Sequence, residues 1–141
     1  MFTIRKQWVI EMAHRLTMAY TKACSDCIHG HSYTIEVFLQ AQELDDTGMV
    51  IDFGALGELK AVVMNLDHCL MLQTLPENQH ELISNRKIMW TTFNPTAENM
   101  AKELFDVMSS LPLMIKLDKR VTLLKVRVHE TASGYAEYSG E

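Results

Sequence analysis

Three observations predict an α+β fold for this chain. Apolar residues alternate with period two in the first, second and last extended segments, they recur at helical spacing in two others, and a turn suited to an antiparallel pair lies among them. The alternation opens at residues 2–13, where Phe2, Ile4, Trp8, Ile10 and Met12 share one parity, broken by Lys6. Thr3, Arg5, Gln7 and Glu11 take the other, with Val9 and Ala13 as exceptions. His14 continues the apolar parity, so a strand that reaches it points the imidazole the same way as Met12.

Residues 15–28 show no clean period. Alternation returns from His31 to Ala41, with Tyr33, Ile35, Val37, Leu39 and Ala41 on one face and Thr34, Glu36 and Gln40 on the other; Phe38 is the exception. Asp45-Asp46-Thr47-Gly48 reads as a turn and Met49-Val50-Ile51 as a short apolar run. Asp52 is the expected N-cap of a helix carrying Leu56, Leu59, Val63 and Leu66. Residues 73–86 are polar and expected to be loop, and 88–93 a short strand. Asn94 as cap and Pro95 at the first helical position predict a second helix, on which Ala97, Met100, Ala101, Leu104, Phe105 and Met108 recur until Leu111-Pro112 ends it. Residues 121–130 form the last strand, with Leu124, Val126, Val128 and Glu130 on one parity. The helices are expected to cover one face of a small, mainly antiparallel sheet.

The 141 residues suit one domain, 1–141, because no linker, repeat or low-complexity stretch divides them. Apolar residues at 48% with only 22% charged exclude a disordered coil. A net charge of −5 gives little support for generic nucleic-acid binding, although a local basic pocket remains compatible with a small anionic ligand. No apolar run is long enough to cross a bilayer and no signal-peptide core is evident, so a cytoplasmic protein without membrane partners is expected. Cys24, Cys27 and Cys69 are too few for a disulfide scaffold.

Chemistry concentrates in the histidines. His29 and His31 stand at i and i+2, so on an extended chain both project to one side, and His14 supplies a third ligand if its strand pairs with theirs. Three neutral imidazoles suit zinc and leave its fourth position open to water or substrate. A competing reading joins Cys24, Cys27, His29 and His31 into a closed structural zinc site with His14 in the core, although the single residue between Cys27 and His29 makes that spacing tight. For proton transfer the candidates are Asp67, His68 and a loop cysteine, Cys24 ahead of Cys27, with Cys69 assigned to packing. Asp67 and His68, being adjacent, are expected to orient a third group rather than pair with each other. The alternative is a plain helix C-terminus with a histidine favourable to its dipole. Glu130, a carboxylate on an apolar strand face, either reaches solvent or has a specific partner; a cyclic guanidine-like ring is one that a buried carboxylate recognises bidentately.

Six ordered segments then become recognisable: residues 11–16 (Glu-Met-Ala-His-Arg-Leu), 27–33 (Cys-Ile-His-Gly-His-Ser-Tyr), 48–53 (Gly-Met-Val-Ile-Asp-Phe), 66–68 (Leu-Asp-His), 94–99 (Asn-Pro-Thr-Ala-Glu-Asn) and 129–131 (His-Glu-Thr). Together they resemble the 6-pyruvoyl-tetrahydropterin synthase family, which includes the queuosine-pathway 6-carboxy-tetrahydropterin synthases. The resemblance implies zinc on His14, His29 and His31, with Asp67 and His68 working alongside a loop cysteine. It also implies a pterin ring anchored by Glu130 in a pocket lined by Thr96, Ala97 and Glu98. The implied fold is a tunnelling fold, in which subunits join sheets into a trimeric barrel, commonly doubled to a hexamer, with active sites between subunits.

The implied reaction is a lyase step on 7,8-dihydroneopterin triphosphate yielding 6-carboxy-5,6,7,8-tetrahydropterin, triphosphate and acetaldehyde. The alternatives are a 6-pyruvoyl product, cleavage to a 6-hydroxymethyl pterin, or a zinc-stabilised pterin-binding module without turnover. Arg15, Lys22 and Lys119 are available for the triphosphate without assigned roles. Two departures from the family pattern stand out. The loop before the paired histidines carries two thiols and Asp26, at the place where some members have a catalytic glutamate, and the stretch between His68 and Asn94 is longer than in the shortest bacterial members.

Overall fold

The structure is a computed structural model that describes residues 1–25, 27–83, 87–117 and 119–140. Strands β1 (Phe2–His14) and β2 (His29–Ala41) pair antiparallel along their whole length, from Phe2 opposite Ala41 to His14 opposite His29. The chain between them makes one helical turn, α1 (Lys22–Ser25). After β2, Asp52 caps a 3-10 turn (Phe53–Ala55) rather than the expected helix, and α2 (Gly57–Met64) follows. Strands β3 (Leu70–Gln73) and β4 (Ile88–Thr91) flank a 3-10 segment (Pro76–Ile83) within the stretch expected to be loop. Helices α3 (Ala97–Ser109) and α4 (Pro112–Lys116), then β5 (Val121–Thr131) and β6 (Gly134–Tyr138), complete the chain.

The six strands form one sheet in the order β4-β3-β1-β2-β5-β6. It is mixed, not wholly antiparallel: β3 runs parallel to the end of β1, and β4 parallel to β3. β3 therefore runs antiparallel to β2, which precedes it across α2, and the parallel β3–β4 pair is joined by a crossover that includes the 3-10 segment rather than by a hairpin. Leu70, Met71 and Leu72 are buried in succession, so β3 carries no alternating signal. β3 pairs with β1 only at Ala13 and His14, and Asp67 and His68 occupy the backbone of Glu11, which leaves the edge of β1 over residues 2–10 without a strand partner among the described residues.

One face of the sheet carries the helices. Ile10, Met12, Tyr33, Ile35, Val37, Leu39, Val126 and Val128 are buried there against Leu59 and Val63 of α2 and Met100, Ala101, Leu104 and Met108 of α3. The expected parity of β5 needs one correction. A bulge at Leu124 sets Leu123 opposite the buried Leu39 and Lys125 opposite the outward Phe38, so Leu123 shares the core face that Val126, Val128 and Glu130 occupy beyond the bulge. α3 also starts later than expected. Thr96, not Asn94, is the N-cap and accepts the Asn99 N–H, which leaves Pro95 outside the helix.

The opposite face buries one acid. The Glu36 side chain, 4% exposed, meets Arg5, Arg127 Nη1 at 3.3 Å and His129 Nε2 at 2.8 Å. Burial pushes the Glu36 pKa up, but hydrogen bonds from His129 and Arg5 and their charge outweigh it and hold the carboxyl below the ordinary glutamate range. A depressed folded pKa gives stability that is present above the unfolded value, about 4.3, and is lost as pH falls through the folded one. Denaturant midpoints measured from roughly pH 6 down to pH 3 are therefore expected to fall less steeply for Glu36→Gln than for the parent. An identical acid slope in the two would contradict the assignment.

Candidate metal centre and adjoining pocket

Strand periodicity and register build the centre. His14 ends β1 directly across from His29, and His31, two residues on, lies across from Met12 on the same face. Ring centroids are 4.6 Å apart for His14–His29, 5.3 Å for His14–His31 and 5.0 Å for His29–His31. One nitrogen from each ring lies within 4.8 Å of the others, a group able to hold a metal ion. A Cβ on Gly30 would sit 3.4 Å from the Met12 carbonyl oxygen, at the near edge of ordinary van der Waals contact.

The donor set fits a cation. His14 Nδ1 donates to the Pro95 carbonyl at 2.8 Å, which the late start of α3 leaves available, and His29 Nδ1 donates to the Cys27 carbonyl at 3.2 Å. A carbonyl only accepts, so each Nδ1 carries the hydrogen and each Nε2 keeps its lone pair. Those two Nε2 atoms face each other at 3.0 Å, an arrangement that two neutral rings disfavour and a shared positive charge resolves. Burial lowers the His14 pKa, against raising contributions from the Pro95 hydrogen bond and Glu130, and so favours the unprotonated ligand form. His31 Nε2 is buried with no hydrogen-bond partner. No thiol joins this group, so the closed two-cysteine site is not assembled.

Glu130 connects the histidines to a cavity. Its Oε1 lies 3.6 Å from His31 Nε2 and its Oε2 4.0 Å from His14 Nε2. The same residue lines a cavity of about 300 Å³ together with Thr96, Ala97 and Glu98, so the structure brings the four sequence-predicted pocket residues together. Sequence reasoning missed Leu16, Tyr135 and Ala136 on the same wall, the last two on β6. Gly134 followed by a short tyrosine-bounded segment was the available signal for that hairpin. An apolar cavity of about 350 Å³ between α2, α3 and β4 offers Glu103 as its one ionisable group, too little for chemistry.

Asp67 and His68 are not part of the three-histidine group, although His68 lines a cavity of about 400 Å³ with Glu11, Gly30, His31 and Ser32. They bind the backbone of Glu11: its N–H donates to Asp67 Oδ1 at 2.9 Å, and its carbonyl accepts the His68 N–H. Contrary to expectation they also pair with each other, Asp67 Oδ2 lying 2.9 Å from His68 Nδ1. A left-handed φ of +59° at His68 accompanies this close approach. The Glu11 amide is the foremost reason that the Asp67 carboxyl is held below its ordinary range. His68 is 78% exposed beside Glu11 and Ser32, whose parity points away from His14 and His31.

The cysteines separate by environment. Cys24 lies within α1, half-buried, with its carbonyl accepting the Leu16 N–H at 3.2 Å. Cys27 is exposed, and Asp26 lies outside the described residues. Cys69 is buried, and burial pushes its thiol pKa up, as suits packing. Arg15 is held by Asn78, with Nη1 donating to Oδ1 at 3.0 Å.

The family profile described as 6-pyruvoyl tetrahydropterin synthase matches residues 3–141. The chain belongs to that family. It is 32% identical to the 6-carboxy-5,6,7,8-tetrahydropterin synthase of Bacillus subtilis (strain 168), over 97% of this chain and 84% of that protein. It is 36% identical to the enzyme of the same name from Rickettsia conorii, over 78% of this chain and 81% of that one. Among solved structures, an uncharacterised protein from Wolinella succinogenes superposes with a TM-score of 0.80 at 20% identity, covering 99% and 98% of the two chains. The Caenorhabditis elegans 6-pyruvoyl tetrahydropterin synthase gives 0.65 at 23% identity, covering 99% and 96%. These two likenesses show the fold. No helix among the described residues is long and apolar enough to cross a membrane.

Proposed function

We propose that the chain is a zinc-dependent lyase converting 7,8-dihydroneopterin triphosphate to 6-carboxy-5,6,7,8-tetrahydropterin, with release of triphosphate and acetaldehyde, in the cytoplasm. The observation that carries this reading is Glu130, which borders both the histidine group and the cavity, so a ring held by its carboxylate extends its side chain toward the three imidazoles. Glu130 accepts two hydrogen bonds from the guanidine-like edge of the pterin, and Thr96, Ala97 and Glu98 close the pocket around it. His14, His29 and His31 hold the zinc, which when bound supplies Lewis acidity to the side-chain hydroxyls. Cys24 and the Asp67–His68 pair carry protons at the side-chain carbons and hydroxyls.

Exposure of the His68 side chain, outside the three-histidine group, supports an active site between subunits. The open edge of β1 and the terminal strand β6 suit edge-to-edge joining into a trimeric barrel, alone or doubled to a hexamer, in which the Asp67–His68 pair of one subunit serves the histidine centre of the next. The names of the Bacillus and Rickettsia relatives favour the carboxylated product over a pyruvoyl or hydroxymethyl one. Incubation of the zinc-loaded protein with dihydroneopterin triphosphate, followed by mass spectrometry, is expected to yield acetaldehyde and a 6-carboxy pterin. A pyruvoyl or hydroxymethyl pterin replaces this reading with a sister reaction, and ligand binding without turnover replaces it with a pterin-binding module.

A further inference from the structure

The long stretch between His68 and Asn94 supplies the parallel arm β3–β4, and the residue at its hinge reaches back to the Asp67–His68 turn. Lys87, just before β4, donates from Nζ to the carbonyl of Asn65 and, at 3.3 Å, to that of Asp67. Its own carbonyl accepts the Leu70 N–H at 2.8 Å, which ties it to the strand that leaves the turn. Asn65 is the C-cap of α2, where carbonyls lack helical partners and carry partial negative charge, so an ammonium there is favoured on two counts. The turn is therefore gripped from two sides: the Glu11 backbone holds the Asp67 carboxylate and the His68 amide, and Lys87 holds the carbonyls of residues 65 and 67. His68 needs such a grip, because a non-glycine residue at φ +59° persists only where its surroundings over-determine it.

We propose that Lys87 is a positioning residue for the Asp67–His68 pair, locking the left-handed turn that aims the imidazole. The proposal rests on the proton-transfer role given to that pair above. The test compares Lys87→Met with Lys87→Arg in the full-length zinc-loaded protein, with His68→Ala as reference. Lys87→Met is expected to lower kcat by about tenfold or more with KM within about twofold, and Lys87→Arg to recover most of it. Zinc content is expected to stay unchanged, and hydrogen exchange at the His68 amide to speed up in Lys87→Met but not in Lys87→Arg. Unchanged kcat and unchanged His68 protection in Lys87→Met would overturn the proposal, as would a loss that arginine fails to restore. If His68→Ala keeps full turnover, the catalytic role of the pair fails; amide exchange in Lys87→Met then still decides whether the clamp exists.

Discussion

Replacing His14 with alanine is expected to leave the protein without stoichiometric zinc and to lower turnover by about a thousandfold or more. Two effects combine. One of three ligands disappears, and the Pro95 carbonyl loses the Nδ1–H donor that fixes the ring, at a residue with no exposure to solvent. The second effect costs roughly 1–3 kcal/mol of stability by itself, because a buried acceptor is left unpaired. His29→Ala separates the two. Its ring is partly exposed and its carbonyl partner lies two residues away in the same chain, so the metal should be lost with a smaller change in the folded apoprotein. Metal analysis after dialysis against zinc, beside thermal melts with and without chelator, reads both effects. In the parent, the chelator should lower Tm, since an ion bound only by the folded state stabilises it by mass action. In either variant the chelator should make little difference. A metal-free variant that still turns over would end the metal reading.

The triad was legible because a period of two fixes which way His14, His29 and His31 point before any contact is known. What sequence alone did not supply was register: that His14 falls opposite His29, not one residue away, follows from thirteen paired positions between β1 and β2. Glu130 was legible by parity from Val126 and Val128, but not from Leu124, because a bulge resets the alternation without marking the residue types around it. β3 was invisible for a different reason. Leu70, Met71 and Leu72 are buried one after another, so the strand lacks the pattern that reveals a half-buried one. Asn94-Pro95 looked like a better helix start than Thr96, and local capping preference was overridden by tertiary use of the Pro95 carbonyl on His14. The Asp67–His68 contact was missed because extended or helical backbone keeps neighbouring side chains apart, whereas the positive φ at His68 gives the turn a third conformation.

Cys24→Ala is expected to retain zinc and pterin binding while turnover falls by about a hundredfold to ten-thousandfold, the usual range for removing a positioned acid or base. The structure gives this choice over Cys27 a physical basis. The Cys24 carbonyl accepts the Leu16 N–H, and Leu16 lines the cavity that holds Glu130, so Cys24 is tied to the wall of the pocket. Cys27 is tied to the metal side instead, through the bond from His29 Nδ1 to its carbonyl. Because that bond uses backbone, Cys27→Ala preserves it, and both zinc content and most of the turnover should survive. Zinc content also decides between the two metal readings, since a closed site with two thiolate ligands would lose its ion in either cysteine variant. Equilibrium binding of a non-reactive pterin separates a failed chemical step from a failed pocket: with Cys24→Ala the dissociation constant should match the parent within about twofold. Full turnover in Cys24→Ala would move the base to Cys27 or Asp26, and a double Cys24→Ala, Cys27→Ala variant that remained active would remove the thiols from the chemistry and leave Asp26 and the Asp67–His68 pair to carry it.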